Sequence, residues 1–242
     1  AVGMLPEGGA TCPQFMALQW RAQWLEGDTD GALETAKAAM QRFPEDPDAC
    51  LEVADVLTEL GGIEAAADLL LEAAQRLGKE PELLYEAGIV LERLGRWDLR
   101  LQCFKRVWEL DREVGSMAPM WLPEARFLEV ARESVDDLPE HVREALGNVV
   151  LLIEDYPERW IFDTEIADPR LLGLFDGAGR AAEAGYDGVP TGPSRVYLYR
   201  WNIERMCHSA EEVEEQIAIT VRHEIGHYLG LDEDELHARG LG

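Results

Sequence analysis

The chain has 242 residues and a formal net charge of −26, from 22 Lys and Arg against 48 Asp and Glu. A nucleic-acid-binding protein is expected to carry a basic face, so this class is disfavoured, and anionic membranes are disfavoured as partners for the same reason. No apolar run reaches the roughly 18 residues that a transmembrane helix needs. The length suits one or two domains. Peptides or proteins are the partners that these limits favour.

The cysteines and the N-terminal residues bear on the compartment. Four cysteines are scattered along the chain without a C-x-x-C pair: Cys12, Cys50, Cys103 and Cys207. This pattern predicts reduced thiols in a cytoplasmic protein and no second metal site. Residues 1–6 show no charged region followed by an apolar core, so no signal peptide is predicted.

A repeat of 34 residues runs through the first half of the chain. It is marked by three prolines and three glycines: Pro13, Pro47 and Pro81, then Gly27, Gly61 and Gly95. This is the period of tetratricopeptide repeats (TPR), in which two helices form each unit. We expect each unit to begin with a helix near its proline, to turn at its glycine, and to continue in a second helix.

Small residues recur at the same period, where paired helices must approach closely. They are Ala32 and Ala66, and Ala39 and Ala73. Arg100 and Val107 interrupt both series in the third unit. Three helical pairs are about the minimum that buries a continuous core. The sequence therefore predicts an all-α, TPR-like domain over residues 1–115, whose concave face binds a peptide or partner protein or, alternatively, whose repeats only brace the second domain.

A second domain of mixed α/β structure is predicted over residues 120–242, after a break at 115–119. Helices are expected from Pro123 and from Pro139. Three segments are strand candidates: Asn148–Ile153, which is continuously apolar and expected to be buried on both faces; Leu171–Phe175, which is weaker; and Arg195–Arg200. The overall fold class is therefore α+β. Residues 176–192 are expected to form a loop, over the cleft or on the surface.

A long helix is predicted near the C-terminus. Ser209 and Glu212 form a capping-box signature, and Glu211 to Glu215 add negative charge at the start of the helix. This acidic run is either a solvated helix start or a means of attracting basic substrates. An apolar stripe should face the core: Ile217, Val221, Ile225 and Leu229.

The same helix carries a metal-binding pattern, His223-Glu224-Ile225-Gly226-His227. Residues four apart lie one turn apart on one helical face, so His223 and His227 can share one cation. The H-E-x-x-H motif supplies two zinc ligands and a general base, here Glu224, within reach of a metal-activated water. An ordinary structural helix is the alternative reading of these residues.

A third ligand is expected just beyond the helix. Gly230 can adopt the left-handed conformation that ends a helix and lets the chain turn back. Glu233 stands where zincins with the longer H-E-x-x-H-x-x-G-x-x-H motif carry a third histidine, and a carboxylate there gives an accepted zinc sphere. The register stays open, with Glu233 preferred, then Asp234, then Asp232.

These residues resemble the minimal zincin-like metallopeptidases of bacteria. The resemblance rests on Ser194–Leu236, with lesser similarity at Leu171–Phe175 and Leu138–Glu140, and spans about residues 120–240. It implies a zinc peptidase fold. In this family an acidic residue follows the glycine, which supports Glu233 as a ligand. No substrate follows from the resemblance.

The predicted function is a zinc-dependent metallopeptidase that hydrolyses peptide bonds by a metal-activated water, with the repeats recruiting a protein substrate or partner. The alternatives are a TPR scaffold whose zincin domain binds metal but is weakly active or inactive, and a non-proteolytic metal hydrolase. Tyr199, Tyr228 and His237 are candidates for an oxyanion donor. The sequence shows no evident specificity pocket.

Overall fold

The structure is a computed structural model, and it describes residues 13–115, 120–146, 149–164, 166–176, 195–231 and 235. The chain divides into two compact units, Ala1–Glu113 and Val114–Gly242. Helical pairs form the first unit, and helices with a three-stranded sheet form the second. The predicted α+β fold class, with helical repeats followed by a small mixed domain, is confirmed.

Within the described residues of the first unit, six helices form the repeats. They are α1 (Pro13–Leu25), α2 (Thr29–Arg42), α3 (Pro47–Glu59), α4 (Ile63–Leu77), α5 (Pro81–Arg93) and α6 (Trp97–Gly115). The three repeated prolines are the first residues of α1, α3 and α5, as predicted. Proline suits this position because its fixed φ matches the helix and its missing N–H would have no intrahelical partner.

The repeated glycines end the first helix of each pair. Gly27, Gly61 and Gly95 have φ values of 84°, 79° and 68°, in the left-handed region that favours glycine. At the second of these turns the N–H of Gly61 donates to Thr58 O over 3.1 Å, and the N–H of Gly62 donates to Leu57 O over 2.7 Å. These are the two bonds of a Schellman cap, and the other two turns repeat them. The predicted turns are therefore confirmed.

Small residues let the paired helices approach. The four alanines that recur at the repeat period, Ala32, Ala39, Ala66 and Ala73, are all buried. In the third pair, a glycine and a phenylalanine take the place of the small residues. A Cβ on Gly88 would stand 2.1 Å from Cε1 of Phe104, so the aromatic ring occupies the space beside the glycine.

The second unit combines helices and a sheet. Its elements are α7 (Glu124–Asp136), α8 (Glu140–Leu146), β1 (Val150–Glu154), a 3-10 helix (Arg159–Asp163), β2 (Gly173–Asp176), β3 (Arg195–Tyr199), α9 (Arg200–Glu204) and α10 (Ala210–Tyr228). The strand order is β1-β3-β2. β1 pairs parallel to β3, and β2 pairs antiparallel to β3.

The expectation that the first strand is buried on both faces is wrong. β1 lies at an edge of the sheet, its first residue Val150 is 39% exposed, and the other four residues are half-buried. Packing on one face of β1 explains part of its apolar sequence, because Leu151 and Ile153 on that face contact the core. The central strand is β3, where Val196 and Leu198 are fully buried.

The helix α10 provides the largest side of this core. Ile217, Val221 and Ile225 recur at helical spacing, and each is at most 2% exposed. They pack in one cluster with Val196 and Leu198 of β3. Three residues of the predicted stripe are therefore confirmed as core, whereas the fourth, Leu229, is the half-buried C-cap residue and is not part of this cluster. The stripe fixes which face of α10 is turned away from the sheet.

The short helix α9 connects the sheet to the start of this unit. Arg200 and Glu204 form an ion pair over 3.1 Å, and Glu204 is 3% exposed. The Glu204 carboxylate also accepts a hydrogen bond from the backbone N–H of Trp121, and Arg200 donates to the carbonyl of Leu122. These contacts hold the segment before α7 against the end of β3.

Cys50, Cys103 and Cys207 are free and buried, and burial raises the pKa of each thiol. Cys12 lies outside the described residues. Among the helices that the structure describes, none has the length and apolar character needed to cross a membrane.

Candidate active site

The start of α10 is held by reciprocal side-chain caps. The Ser209 hydroxyl accepts a hydrogen bond from the backbone N–H of Glu212 over 3.2 Å. The Glu212 carboxylate in turn accepts from the backbone N–H of His208 over 2.6 Å, one residue before the usual position. The predicted N-cap is confirmed, and one residue of the acidic run therefore has a structural partner.

A second residue of the acidic run ties α10 to α7. Nε of Arg126 lies 2.8 Å from Oε1 of Glu214, and its Nη2 lies 2.9 Å from Oε2, which is a bidentate pair. The hydrogen bond from this guanidinium lowers the pKa of the Glu214 carboxyl. The acidic start of the helix is thus partly structural, beyond being a solvated face.

The end of α10 turns the chain sharply. Gly230 has a φ of 82°, and its N–H donates to His227 O over 2.9 Å. The N–H of Leu231 donates to Gly226 O over 3.1 Å, which completes a Schellman cap. The left-handed conformation expected at Gly230 is confirmed.

The two histidines of the motif meet on α10. Their Nε2 atoms lie 3.0 Å apart, and the ring planes are inclined by 87°. Both side chains are half-buried. Two nitrogens held tetrahedrally by one zinc ion at 2.0–2.1 Å would be roughly 3.3 Å apart, so little movement separates this arrangement from a shared cation.

The helix cap also orients one of these rings. Nδ1 of His227 lies 3.3 Å from the carbonyl oxygen of Leu231. A carbonyl oxygen can only accept, so this contact favours the tautomer with the proton on Nδ1 and the lone pair on Nε2. Metal-binding histidines are commonly oriented in this way through their other nitrogen.

Glu224 lies between the helix and the edge strand β2. It is 8% exposed, and its Oε2 accepts a hydrogen bond from the backbone N–H of Phe175 over 2.9 Å. Tyr199 N donates to Leu172 O over 2.9 Å, so by antiparallel alternation Gly173 and Phe175 direct their backbone groups away from β3. The carboxylate therefore binds the outer edge of β2.

Gly173 permits this close approach of β2 and α10. A Cβ at this position would stand 2.8 Å from Cγ2 of Thr220 and 2.9 Å from Cγ of Glu224. Real Cβ atoms do not approach so closely, so any larger residue would displace the Thr220 and Glu224 side chains or the backbone that carries them. The glycine thereby helps to fix the Glu224 side chain.

A cavity of about 350 Å³ opens beside these residues. His223 and Glu224 line it on one side, and Leu171, Leu172 and Ile219 give it an apolar wall. The sequence shows no evident specificity pocket, and this cavity is a candidate for one. The cavity is not evident from the sequence because two distant segments line it. The loop and the strand lie about 50 residues before the helix.

Asn202 holds the loop that forms part of this wall. Its side-chain amide donates to the carbonyl oxygens of Pro169 and Leu171 over 3.0 and 2.8 Å, and the residue is 2% exposed. Two carbonyls of an irregular segment are satisfied by one buried side chain. The loop before β2 therefore takes its position from α9.

The oxyanion-donor candidates stand outside the cavity lining where they are described. Tyr199 is fully buried, and its hydroxyl has no hydrogen-bond partner within the described residues. Burial raises the pKa of Tyr199, and the carboxylate of Glu154 raises it further. The ring of Tyr228 packs against Phe175 with centroids 4.9 Å apart. The third candidate, His237, lies outside the described residues.

The three candidates for the third ligand are the remaining predicted site residues. Glu233, Asp234 and Asp232 all lie outside the described residues. Within the part of the chain that the structure describes, no group of three or more His, Cys, Asp and Glu side chains could hold a metal ion. The described part of the site therefore consists of His223, His227 and Glu224.

Two residues that position the site were missed as functional residues by the sequence analysis, although each left a signal. Gly173 stands inside a predicted strand, where a glycine often marks close backbone approach. Asn202 follows an apolar strand and is a polar residue in a segment that packs inward. Neither signal identifies the partner.

The second unit thus packs a helix with paired histidines and a neighbouring carboxylate against a small mixed sheet. Residues 146–242 match the family model described as Zincin-like metallopeptidase. Residues 23–85 match the family model described as Tetratricopeptide repeat. Both resemblances predicted from the motifs are confirmed. A possible metallopeptidase domain and a protein-interaction repeat follow from these two families.

No curated protein matches the chain significantly. Among solved structures, the chain is similar to the crystal structure of YrrB, a TPR protein with an unusual peptide-binding site. The identity is 18%, the match covers 97% of this chain and 95% of that one, and the TM-score is 0.37.

Proposed function

We propose that the protein is a zinc-dependent metallopeptidase. The observation that carries this proposal is the 3.0 Å separation of the Nε2 atoms of His223 and His227, with Glu224 on the same helix. These two histidines would hold the ion, with a carboxylate of the following acidic turn as third ligand. Glu233 is the preferred residue, before Asp234 and Asp232.

His223 and His227 suit zinc, and the proposed carboxylate would complete the set of ligands. Two neutral imidazoles and a carboxylate form an accepted zinc sphere. The 3.0 Å contact between the rings is also a hydrogen-bond distance. With the proton of His227 on Nδ1, the proton between the rings belongs to Nε2 of His223, and zinc would displace it. Zinc binding is thus expected to release or relocate one proton.

Zinc, when bound, lowers the pKa of a water molecule and polarises the scissile carbonyl. Glu224 acts as general base, takes a proton from the attacking water, and delivers it to the leaving amine. Phe175 N–H holds Oε2 of this carboxylate at 2.9 Å. We assign the proton transfers to the other oxygen, Oε1.

The cavity beside Glu224 suggests how a substrate is held. Its apolar wall would take an apolar side chain of the peptide. Leu172 and Gly173 line the cavity, and β2 is an edge strand whose outer side faces away from β3. We propose that an extended substrate pairs with the other outward-facing backbone groups of β2, because the N–H of Phe175 is bound to Glu224.

We further propose that the two predicted domains have separate roles, substrate recruitment and hydrolysis. Residues 1–115 would form the TPR-like domain that recruits a protein substrate or partner, and residues 120–242 the metallopeptidase domain. Three buried free thiols suit a reducing compartment, so we propose a cytoplasmic location.

A scaffold function is the second candidate. Glu224 already accepts a hydrogen bond from β2, and this contact would stabilise the domain without any hydrolysis. A scaffold of this kind would bind metal and partner but cleave little. A metal hydrolase that acts on small amides or esters is the third candidate.

A cleavage screen separates these candidates. Wild type and the Glu224→Gln variant, both loaded with zinc, are incubated with a proteome-derived peptide library. The variant keeps an oxygen that can accept from Phe175, so its fold and metal binding should persist. A peptidase yields cleaved bonds with wild type alone. Identical peptide profiles for the two proteins contradict the peptidase proposal.

A further inference from the structure

A second pocket lies on the repeat unit, between the helices α1 and α3. Its volume is about 430 Å³. Trp20 and Trp24 line it from α1, and Asp55 and Glu59 line it from α3. The pocket thus combines aromatic surface with carboxylates.

The aromatic side of the pocket has one fixed ring and one accessible ring. Trp20 is 5% exposed, and its Nε1 donates to Oε2 of Glu52 over 3.0 Å. Trp24 is 38% exposed, and Leu25 beside it is 78% exposed. Large apolar side chains exposed together at a pocket mark a binding surface. Trp24 is the ring that a ligand can reach.

The acidic side of the pocket has one cation nearby, Arg21, but the direct ion-pair partner of this cation is another carboxylate. Arg21 lines the pocket, and its guanidinium pairs with Glu52 over 3.1 Å. Asp55 and Glu59 have no ion pair or side-chain hydrogen bond within the residues that the structure describes. Desolvation and the neighbouring carboxylates Glu52 and Glu59 raise the pKa of Asp55, and the charge of Arg21 offsets this only in part. Two unpaired carboxylates therefore face the pocket.

The chain already contains one cation in contact with this aromatic surface. The guanidinium carbon of Arg21 lies 5.4 Å from the ring centroid of Trp20, within cation–π range. The tryptophan surface therefore accepts a guanidinium in the folded protein. Trp24 offers a second ring beside the two unpaired carboxylates.

We propose that this pocket binds the lysine or arginine side chain of a peptide partner. The aliphatic part of such a side chain packs on Trp24, and its charged end meets Asp55 and Glu59. An anionic ligand would be repelled by these carboxylates. A purely apolar ligand would leave both carboxylates beside it without a cation. The net charge of −26 also favours a basic partner.

This inference rests on the proposed recruiting role of the repeats and adds a ligand chemistry to it, and it does not depend on the peptidase activity. It is tested on the full chain carrying Glu224→Gln, so that no probe can be cleaved. The probe is a blocked pentapeptide, Gly-Gly-Lys-Gly-Gly, and its match has norleucine in place of lysine. The tryptophan indole N–H signals are followed by NMR during titration.

The lysine peptide is expected to shift the Trp24 signal to saturation, and the norleucine peptide is expected to leave it in place. Trp24→Leu, followed at the Trp20 indole signal, should weaken the binding by about two- to fivefold, the size of an exposed cation–π contact. Asp55→Asn with Glu59→Gln should weaken it by about fivefold. A matched pair, Glu34→Gln with Glu45→Gln, removes the same charge from exposed positions that do not line the pocket and should leave the affinity unchanged.

Equal binding of the norleucine peptide overturns the proposal, because the pocket would then be merely apolar. Equal losses in the two double variants also overturn it, because the attraction would then be general to the acidic surface. An absence of any shift at Trp24 does the same. A negative cleavage screen has no bearing on these signals, so the failure of the peptidase proposal remains distinguishable.

Discussion

The backbone amide of Phe175 donates a hydrogen bond over 2.9 Å to Oε2 of Glu224. This bond joins the outer edge of β2 to the residue that we propose as general base. The position of β2 and the orientation of the carboxylate therefore depend on each other. Changes that displace the strand should alter hydrolysis even where no zinc ligand is touched.

Gly173→Ala tests this dependence. The added Cβ would stand 2.9 Å from Cγ of Glu224, so the Glu224 side chain, the strand or the helix must move. We expect a loss of about 1–3 kcal/mol in the free energy of unfolding, as for other overpacked positions. We also expect kcat to fall while zinc affinity changes little. Urea denaturation, peptide kinetics and zinc titration measure the three quantities.

The matched control is Gly88→Ala in the first unit, whose Cβ would stand 2.1 Å from Cε1 of Phe104. It should also reduce stability, but it should leave the kinetics of a short peptide substrate unchanged. Wild-type stability and kcat in Gly173→Ala would show that the close approach has no role.

Asn202 is expected to position the cavity wall through its two hydrogen bonds to backbone carbonyls. Asn202→Ala leaves both acceptors of a buried segment without this donor, which should cost about 1–3 kcal/mol in the free energy of unfolding. Asn202→Asp should cost more, because a carboxylate would face two carbonyl oxygens. Denaturant unfolding of the three proteins gives the order, and an aspartate variant as stable as wild type would refute the assignment.

Zinc is expected to stabilise the folded protein through His223 and His227. At a free concentration of about 100 times its Kd, a ligand that binds only the folded state adds about 2.7 kcal/mol. His227→Ala should lose this gain, and His208→Ala, which changes an exposed histidine of the same unit, should keep it. Thermal unfolding with and without zinc measures the gain.

The same measurement ranks the third ligand. Glu233→Gln should reduce the zinc-dependent gain more than Asp234→Asn or Asp232→Asn does. An unchanged gain in all three variants would mean that the third ligand lies elsewhere in the chain.

The pair of Arg126 and Glu214 should make stability depend on pH. The guanidinium lowers the pKa of Glu214 in the folded state from its ordinary value of 4.5. The stabilisation is therefore complete above the pKa of the unfolded chain and is lost as the pH falls through the lowered pKa. Glu214→Gln should be less stable than wild type at pH 7, and the difference should vanish in acid. Glu215→Gln, at an exposed neighbour, should match wild type throughout.

Much of the fold was predictable because it depends on local signals. The repeated prolines and glycines set where helices begin and turn, since proline fixes φ and glycine accepts a positive φ. The N-cap at Ser209 and the stop at Gly230 also depend on neighbouring residues alone. The zinc motif is also a local signal, because His223 and His227 occupy adjacent turns of one helix.

The remaining features depend on contacts between distant parts of the chain. Asn202 binds carbonyls more than 30 residues earlier, and Glu224 binds an amide 49 residues earlier. The exposure of β1 follows from its edge position in the sheet, which an apolar run does not reveal. The pocket at Trp24 and Asp55 requires two helices of different repeats.

The most direct test of the account is the rate of peptide hydrolysis by wild type and by Glu224→Gln at equal zinc occupancy. General base catalysis contributes about 10²–10⁴-fold, so we expect the variant to be slower by this factor with its zinc content unchanged. Equal rates at equal zinc occupancy would contradict the assignment of Glu224 as the base and, with it, the proposed mechanism.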